Sequence, residues 1–207
     1  MKILFGGTFD PIHLGHIQLA LHISREFAQM VHFLPLNGTP SYKAPPQASL
    51  PQRLAMLQDI VNKYPNELNL DLSEANQHNY TPTYLTLQRL QQNQTQAISF
   101  IIGGDSLVNL DSWDNWQQLF DLTNFIVAMR PQYDLSQMSA RLRAQIEPRL
   151  VTQLNLQQIR GQIILTNCPE LDISSTKIRQ ACQNNLAYQK WLEPETVKFI
   201  QQQQLYL

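Results

Sequence analysis

Apolar positions along the chain follow two alternating spacings. Residues 2–5 are a short apolar run closed by Gly6-Gly7, after which Ile17, Ala20, Leu21, Ser24, Phe27 and Ala28 recur at intervals of three and four. The first pattern reads as a buried strand and the second as one face of a helix. Residues 30–36 form a second apolar run, and Leu54, Leu57, Ile60 and Val61 mark another helix, with Ser49 and Pro51 as start signals. Residues 68–72 predict a strand, 83–92 a helix with Leu87 and Leu90 facing inward, and 97–102 the clearest buried strand, ended by Gly103-Gly104. A short helix over 113–120 and a strand over 125–129 follow, then a last strand over 162–166 and helices over 175–183 and 195–203. Pro194 suits a first-turn position. Residues 135–161, rich in Gln and Arg, are too weakly periodic to assign, and residues 37–51 form a long Pro-, Gly- and Ser-containing connection of the kind that often carries function.

Strands alternating with helices predict an α/β fold, a parallel sheet with helices on both faces. Right-handed crossovers then gather functional loops at the C-terminal ends of the strands. At 207 residues the chain reads as one domain, 1–207, with residues 174–207 as a C-terminal helical subdomain.

Composition narrows the function. The formal net charge is -1, from 15 Lys+Arg against 16 Asp+Glu. That balance argues against a protein that coats nucleic acid or lies on a membrane, while leaving room for a local anion pocket. No apolar run approaches the roughly 20 residues of a membrane span. Cys168 and Cys182 are too few for a disulfide framework, so a cytoplasmic setting is expected.

Three clusters fall where strands end. The first is Gly6-Gly7-Thr8-Phe9-Asp10-Pro11-Ile12-His13-Leu14-Gly15-His16. Paired glycines admit a ligand close to the backbone, and the helix opening offers N–H groups and partial positive charge to phosphate. His13 and His16, three apart, can lean toward one point. Neither the Gly-x-Gly-x-x-Gly fingerprint nor a P-loop is present. The second cluster, Ile173-Ser174-Ser175-Thr176-Lys177-Ile178-Arg179, reads either as a second phosphate cradle or as an ordinary capped helix with a surface arginine. The third, Gly103-Gly104-Asp105-Ser106, offers a carboxylate to a ribose hydroxyl or a helix cap. Arg53 reads mainly as a solvated helix residue, with phosphate steering as the other possibility.

These residues resemble the nucleotidyltransferase superfamily with the His-x-Gly-His signature, and within it the bacterial nicotinate-nucleotide adenylyltransferases. The resemblance continues through residues 100–107, Trp113, residues 126–131 and Leu205-Tyr206, covering nearly the whole chain. It implies a Rossmann-like parallel sheet with a small helical C-terminal part. It also implies transfer of the adenylyl group of ATP to nicotinic acid mononucleotide, giving deamido-NAD and pyrophosphate, with Mg2+ carried by ATP and not held in a protein cage.

By position, His13, His16, Lys43 and Arg179 would be the catalytic set, with His16 foremost. Gly7, Thr8, Phe9, Gly103, Asp105, Ser174 and Thr176 would border ATP. Thr83, Tyr84, Trp113 and Arg130 would meet the pyridine nucleotide, Trp113 by stacking and the 83–84 backbone by receiving the carboxylate. Trp113 is equally readable as a core aromatic and Arg130 as a structural residue. Two departures stand out. The family's Pro-Pro-His-Lys appears as Pro40-Ser41-Tyr42-Lys43, and its Ser-Tyr-Thr as Thr83-Tyr84-Leu85.

The implied chemistry suits these residue types. A phosphate monoester has a second pKa of about 6, so the acceptor is largely dianionic at neutral pH and needs little general base. The obstacle is anion meeting anion, which calls for positioning and charge neutralisation. The alternatives are adenylylation of another phosphate acceptor, nicotinamide mononucleotide or phosphopantetheine, and a nucleotide-binding sensor without catalysis. A homo-oligomer is compatible with the sequence.

Overall fold

The computed structural model describes residues 1–39, 44–92, 96–129, 135–155, 158–168 and 172–207. Strand and helix alternate as β1 (Lys2–Gly7), α1 (Leu14–Phe27), β2 (Val31–Pro35), α2 (Leu50–Lys63), β3 (Leu68–Leu70), α3 (Thr83–Gln92), β4 (Ile98–Gly103), α4 (Gly104–Val108), β5 (Asn124–Met129), α5 (Ala140–Ile146), β6 (Leu150–Val151), β7 (Ile163–Asn167), α6 (Ser175–Gln183) and α7 (Pro194–Gln202). Contacts divide the chain into two compact units, one of residues 1–6 with 81–168 and one of residues 7–80 with 169–207.

In the first unit, every described strand pair is parallel. β1 pairs with β4 (Ile3 beside Ser99), β4 with β5 (Phe100 beside Phe125), β5 with β7 (Ile126 beside Ile164), and β6 with β7 (Leu150 beside Ile163). β4 and β5 are buried along almost their whole length, as their unbroken apolar runs require. Two polar side chains anchor the entry to this sheet. Asn124 Oδ1 accepts the Gln162 N–H at 3.0 Å, and Gln162 Nε2 donates to the Asn155 and Gln158 carbonyls at 2.9 and 2.7 Å.

The second unit holds the parallel pair β2 and β3, with Val31 beside Leu68, together with α1, α2, α6 and α7. α2 begins where the sequence places it: Pro51 lies in the first turn, and Gln52 Oε1 accepts the Ser49 N–H at 2.9 Å. Its buried stripe is Arg53, Met56, Leu57 and Ile60, with Leu54 and Val61 only half-buried. α2 is tied to α7 by Glu193, whose carboxylate pairs with Lys63 and accepts the Tyr64 hydroxyl at 3.1 Å. The Lys63–Glu193 hydrogen bond raises the pKa of the Lys63 ammonium above its usual value.

Several elements differ from expectation. The helix over 113–120 is replaced by two short 3-10 turns, Leu110–Ser112 and Trp116–Asp121, because Asn115 turns left-handed (φ 50°) and interrupts the run. Residues 135–161 contain α5 and β6, which weak periodicity concealed. Arg53 is not solvated: it is 2% exposed. Among the described residues no helix is long and apolar enough to cross a membrane, and neither Cys168 nor Cys182 forms a disulfide.

Candidate active site

From Gly7 on, the first cluster lies in the second unit and leads into α1. Gly7 is required by its neighbour, since a Cβ there would come within 2.8 Å of the Phe9 ring. Phe9 takes a left-handed backbone (φ 51°) and is buried, its ring edge-on to Phe33 at 5.3 Å and to His16 at 5.2 Å. The phenyl ring thus backs the imidazole of His16. His13 caps α1 with an extended backbone and is 5% exposed. Its backbone N–H donates to His16 Nδ1 at 3.4 Å, and the two rings stack with centroids 3.7 Å apart. Because Nδ1 of His16 accepts, the neutral ring carries its proton on Nε2 and presents a donor there. Gly15 allows the stack, for a Cβ would lie 3.1 Å from the His13 ring.

Two guanidinium groups hold this loop. Arg53 donates from Nη1 to the Thr8 carbonyl at 2.7 Å and from Nη2 to the Leu36 carbonyl at 2.9 Å. One buried side chain thus ties the loop after β1 to the end of β2. Burial pushes its pKa down, an effect that nearby Asp10 opposes. Arg179, on α6, donates from Nη1 to the Asp10 carbonyl at 2.7 Å and from Nη2 to Thr176 Oγ1 at 3.3 Å.

The second cluster therefore joins the first within one unit. Ser175 Oγ also donates to the Pro11 carbonyl at 2.9 Å. Ser174 caps α6, its Oγ accepting the Lys177 N–H at 3.2 Å, as the capping reading of this segment expects. The arginine, however, is not a loose surface group: it is engaged with the Asp10 loop.

Asp10 itself was missed by sequence reasoning. It is 3% exposed and accepts the backbone N–H groups of Gln47 (2.8 Å) and Ala48 (3.0 Å) and the hydroxyl of Tyr206 (2.7 Å). The signal available was an acidic residue inside an otherwise apolar and glycine-rich turn, which demands buried partners.

The remaining described residues of the predicted site lie in the first unit. Gly103 caps α4, and Asp105 folds its carboxylate back into the space that a Cβ at Gly103 would take. Asp105 is exposed, in the first turn of α4. Thr83 and Tyr84 open α3 and are half-buried, with the Pro82 carbonyl accepting the N–H groups of Leu85 and Thr86 at 3.0 and 3.2 Å. Trp113 is half-exposed with an extended backbone, while Trp116 is the aromatic that enters the core. The expectations for Lys43, Tyr42 and Arg130 fall outside the described residues. Among the described residues, no group of three or more His, Cys, Asp or Glu side chains is placed to hold a metal ion.

Comparison with known proteins agrees with this arrangement. Residues 4–181 match the cytidylyltransferase-like family model. A Pseudoalteromonas atlantica protein described as a probable nicotinate-nucleotide adenylyltransferase is 37% identical over 209 residues, covering 98% of this chain and 93% of its own. A Shewanella relative with the same description is 35% identical over 211 residues, covering 99% and 98%. The fold matches the solved Plasmodium falciparum nicotinic acid mononucleotide adenylyltransferase complexed with NaAD, with a TM-score of 0.77 at 21% identity over 100% of this chain and 98% of that one. Matched along nearly its whole length by such relatives, the chain belongs to the nicotinate-nucleotide adenylyltransferase family of cytidylyltransferase-like proteins.

Proposed function

We infer that the protein transfers the adenylyl group of ATP to nicotinic acid mononucleotide, releasing pyrophosphate and forming deamido-NAD. The observation that carries this reading is the stacked His13–His16 pair at the opening of α1, on the loop that Arg179 grips. In this reading the helix opening, the His16 Nε2 donor and Arg179 take the triphosphate. Thr176 and Ser174 flank the arginine, and Thr8 with Gly7 and Phe9 shapes the loop. Gly103 and Asp105 serve the ribose of ATP. Thr83, Tyr84 and Trp113 serve the pyridine nucleotide, and Lys43 and Arg130 add positive charge.

The acceptor phosphate attacks the α-phosphorus and pyrophosphate leaves, so one P–O bond forms as another breaks and no enzyme-bound intermediate is needed. The residues lower the barrier by holding two anions together and by donating to the oxygens on which charge grows. Removing one such donor generally reduces turnover by about 10²–10³-fold.

Magnesium belongs with ATP in this reading. Asp10, the carboxylate of the phosphate loop, has its oxygens engaged by two backbone N–H groups and a phenol. That donor set does not fit a resident metal, and Mg2+ would be held by phosphate oxygens, where it supplies charge neutralisation.

The test is pyrophosphate release from ATP with nicotinic or nicotinamide mononucleotide as acceptor. Nicotinic acid mononucleotide should be much the better acceptor, since an amide presents donors where the 83–84 backbone presents donors. His16→Ala should retain the fold by circular dichroism and lose about 10²-fold or more in kcat. Equal use of both acceptors would overturn the substrate assignment, ATP binding without pyrophosphate release would favour a sensor, and full turnover by His16→Ala would remove the histidine from the chemistry.

A further inference from the structure

Asp10 and Tyr206 are 196 residues apart in sequence, yet the phenol donates to Asp10 Oδ1 at 2.7 Å. Both side chains are enclosed, at 3% and 4% exposure. An ionised carboxylate has about four acceptor sites. Here Ala48 N–H and the Tyr206 hydroxyl fill Oδ1, and Gln47 N–H takes one site on Oδ2. Arg179 Nη1 stands 3.8 Å from Oδ2, too far for a hydrogen bond, and instead donates to the Asp10 backbone carbonyl at 2.7 Å.

This arrangement is finely placed. Arginine and carboxylate favour a two-pronged pair, which is among the strongest polar contacts available to either. The carboxylate of Asp10 is close enough to form one and does not. Its oxygens are turned to the two backbone amides and the phenol, which leaves Arg179 on the loop carbonyl and on Thr176, with its remaining N–H groups available to an anion.

Building on the function inferred above, we propose that Tyr206 is a positioning residue for ATP: by holding Asp10 Oδ1 it keeps the carboxylate from capturing Arg179, and so keeps that guanidinium on the triphosphate. Without the hydroxyl, Oδ1 loses a donor inside a buried site. Arg179 Nη1, 3.8 Å from Oδ2, is within reach of a turned carboxylate. The carboxylate rotates to meet it, the guanidinium leaves Thr176, and its charge is neutralised within the protein. The effect falls on ATP and spares the pyridine nucleotide.

The experiment compares wild type with Tyr206→Phe, which removes one oxygen and keeps the ring. The KM for ATP should rise about tenfold, matching the loss of one charge-assisted contact, with the KM for nicotinic acid mononucleotide within about twofold. Calorimetric binding of inorganic triphosphate, which needs no turnover, should weaken by the same factor. Arg179→Lys supplies the second background. Lysine cannot form the two-pronged pair, so Tyr206→Phe should add less than about twofold there. A general structural role would instead give equal factors in both backgrounds and raise both KM values.

Unchanged triphosphate affinity in Tyr206→Phe, or equal factors in the two backgrounds, overturns the proposal. Absence of turnover by the wild type overturns the function and leaves the triphosphate comparison standing. If Tyr206→Phe fails to fold, the wild type alone answers. Its Tyr206 ring resonance in a 13C-tyrosine spectrum should shift on adding inorganic triphosphate, and an unmoved resonance sinks the idea.

Discussion

Arg53 illustrates how a residue's chemical type misleads when its partners are distant in sequence. An arginine on an amphipathic helix is ordinarily solvated, yet here it occupies the same stripe as Met56, Leu57 and Ile60. The stripe was legible, but the reason to place a charge on it was not, because the Thr8 carbonyl it meets lies 45 residues away. Arg53→Leu keeps the apolar packing and strands the half-buried carbonyls of Thr8 and Leu36. It should destabilise the protein by up to about 2–6 kcal/mol, from an unmet penalty of about 1–3 kcal/mol for each group; a urea midpoint near the wild-type value would contradict this. Tyr206 makes a prediction of the opposite kind, in alkali. Burial, with Asp10 adding to it, raises its pKa far above the ordinary tyrosine value of 10.0. The unfolded chain therefore releases that proton first, and the stability held below pH 10 drains away as pH rises beyond it, by at most about 1.4 kcal/mol per pH unit. Tyr206→Phe should flatten that limb relative to wild type, as read from thermal midpoints between about pH 9 and 11. Parallel curves would mean that the phenol ionises freely in the folded state.

Elements were most legible where periodicity and capping agreed. Residues 83–92 and 175–183 are helical as expected, and Ser49 with Pro51 marks the start of α2. Boundaries shifted where a loop residue takes up a hydrogen bond, as at the end of β1, which runs on to Gly7 because the Gly7 carbonyl accepts the Leu36 N–H. Legibility failed over 135–161 for a physical reason. β6 is held by pairing with β7, and the Asn155, Gln158 and Ile159 carbonyls are taken by the Gln162 and Asn124 side chains; such long-range contacts leave no periodic trace. The opening of α4 is a sharper case. Gly103 looked like a strand terminator, but its missing Cβ is what leaves room for Asp105 Oδ1. In Gly103→Ala the carboxylate is the movable partner, since Asp105 is exposed, so the helix should persist with a stability change under about 1 kcal/mol. The displaced carboxylate should raise the KM for ATP several-fold and leave the KM of the acceptor nearly unchanged. Kinetics in which both KM values stay at wild-type levels would separate Asp105 from the ribose.

On the scale of the whole molecule, alternation of strand and helix sufficed to predict a parallel α/β sheet, because each crossover is a local pattern repeated. The division into two units, each drawn from two stretches of chain, was not legible. The unit that carries the histidines is joined by Ser175 to Pro11, Arg179 to Asp10 and Tyr206 to Asp10, over sequence separations of 164, 169 and 196. Overall charge then bears on how an anion reaches this site. With a formal net charge of -1 the protein has no broad positive field to draw in a polyanion. In the proposed reading, attraction comes from Arg179, the histidines and the opening of α1, groups that would act within a few ångströms of a bound phosphate. Salt screens charges separated by more than about 8–10 Å near physiological strength and screens closer or enclosed pairs much less. The kcat/KM for ATP, measured at fixed free magnesium, should therefore change by less than about fivefold between 25 and 300 mM potassium chloride, against the 10–10³-fold that long-range steering can supply. A fall of tenfold or more would place the capture of ATP in a long-range field, and the short-range account of the phosphate loop would have to give way.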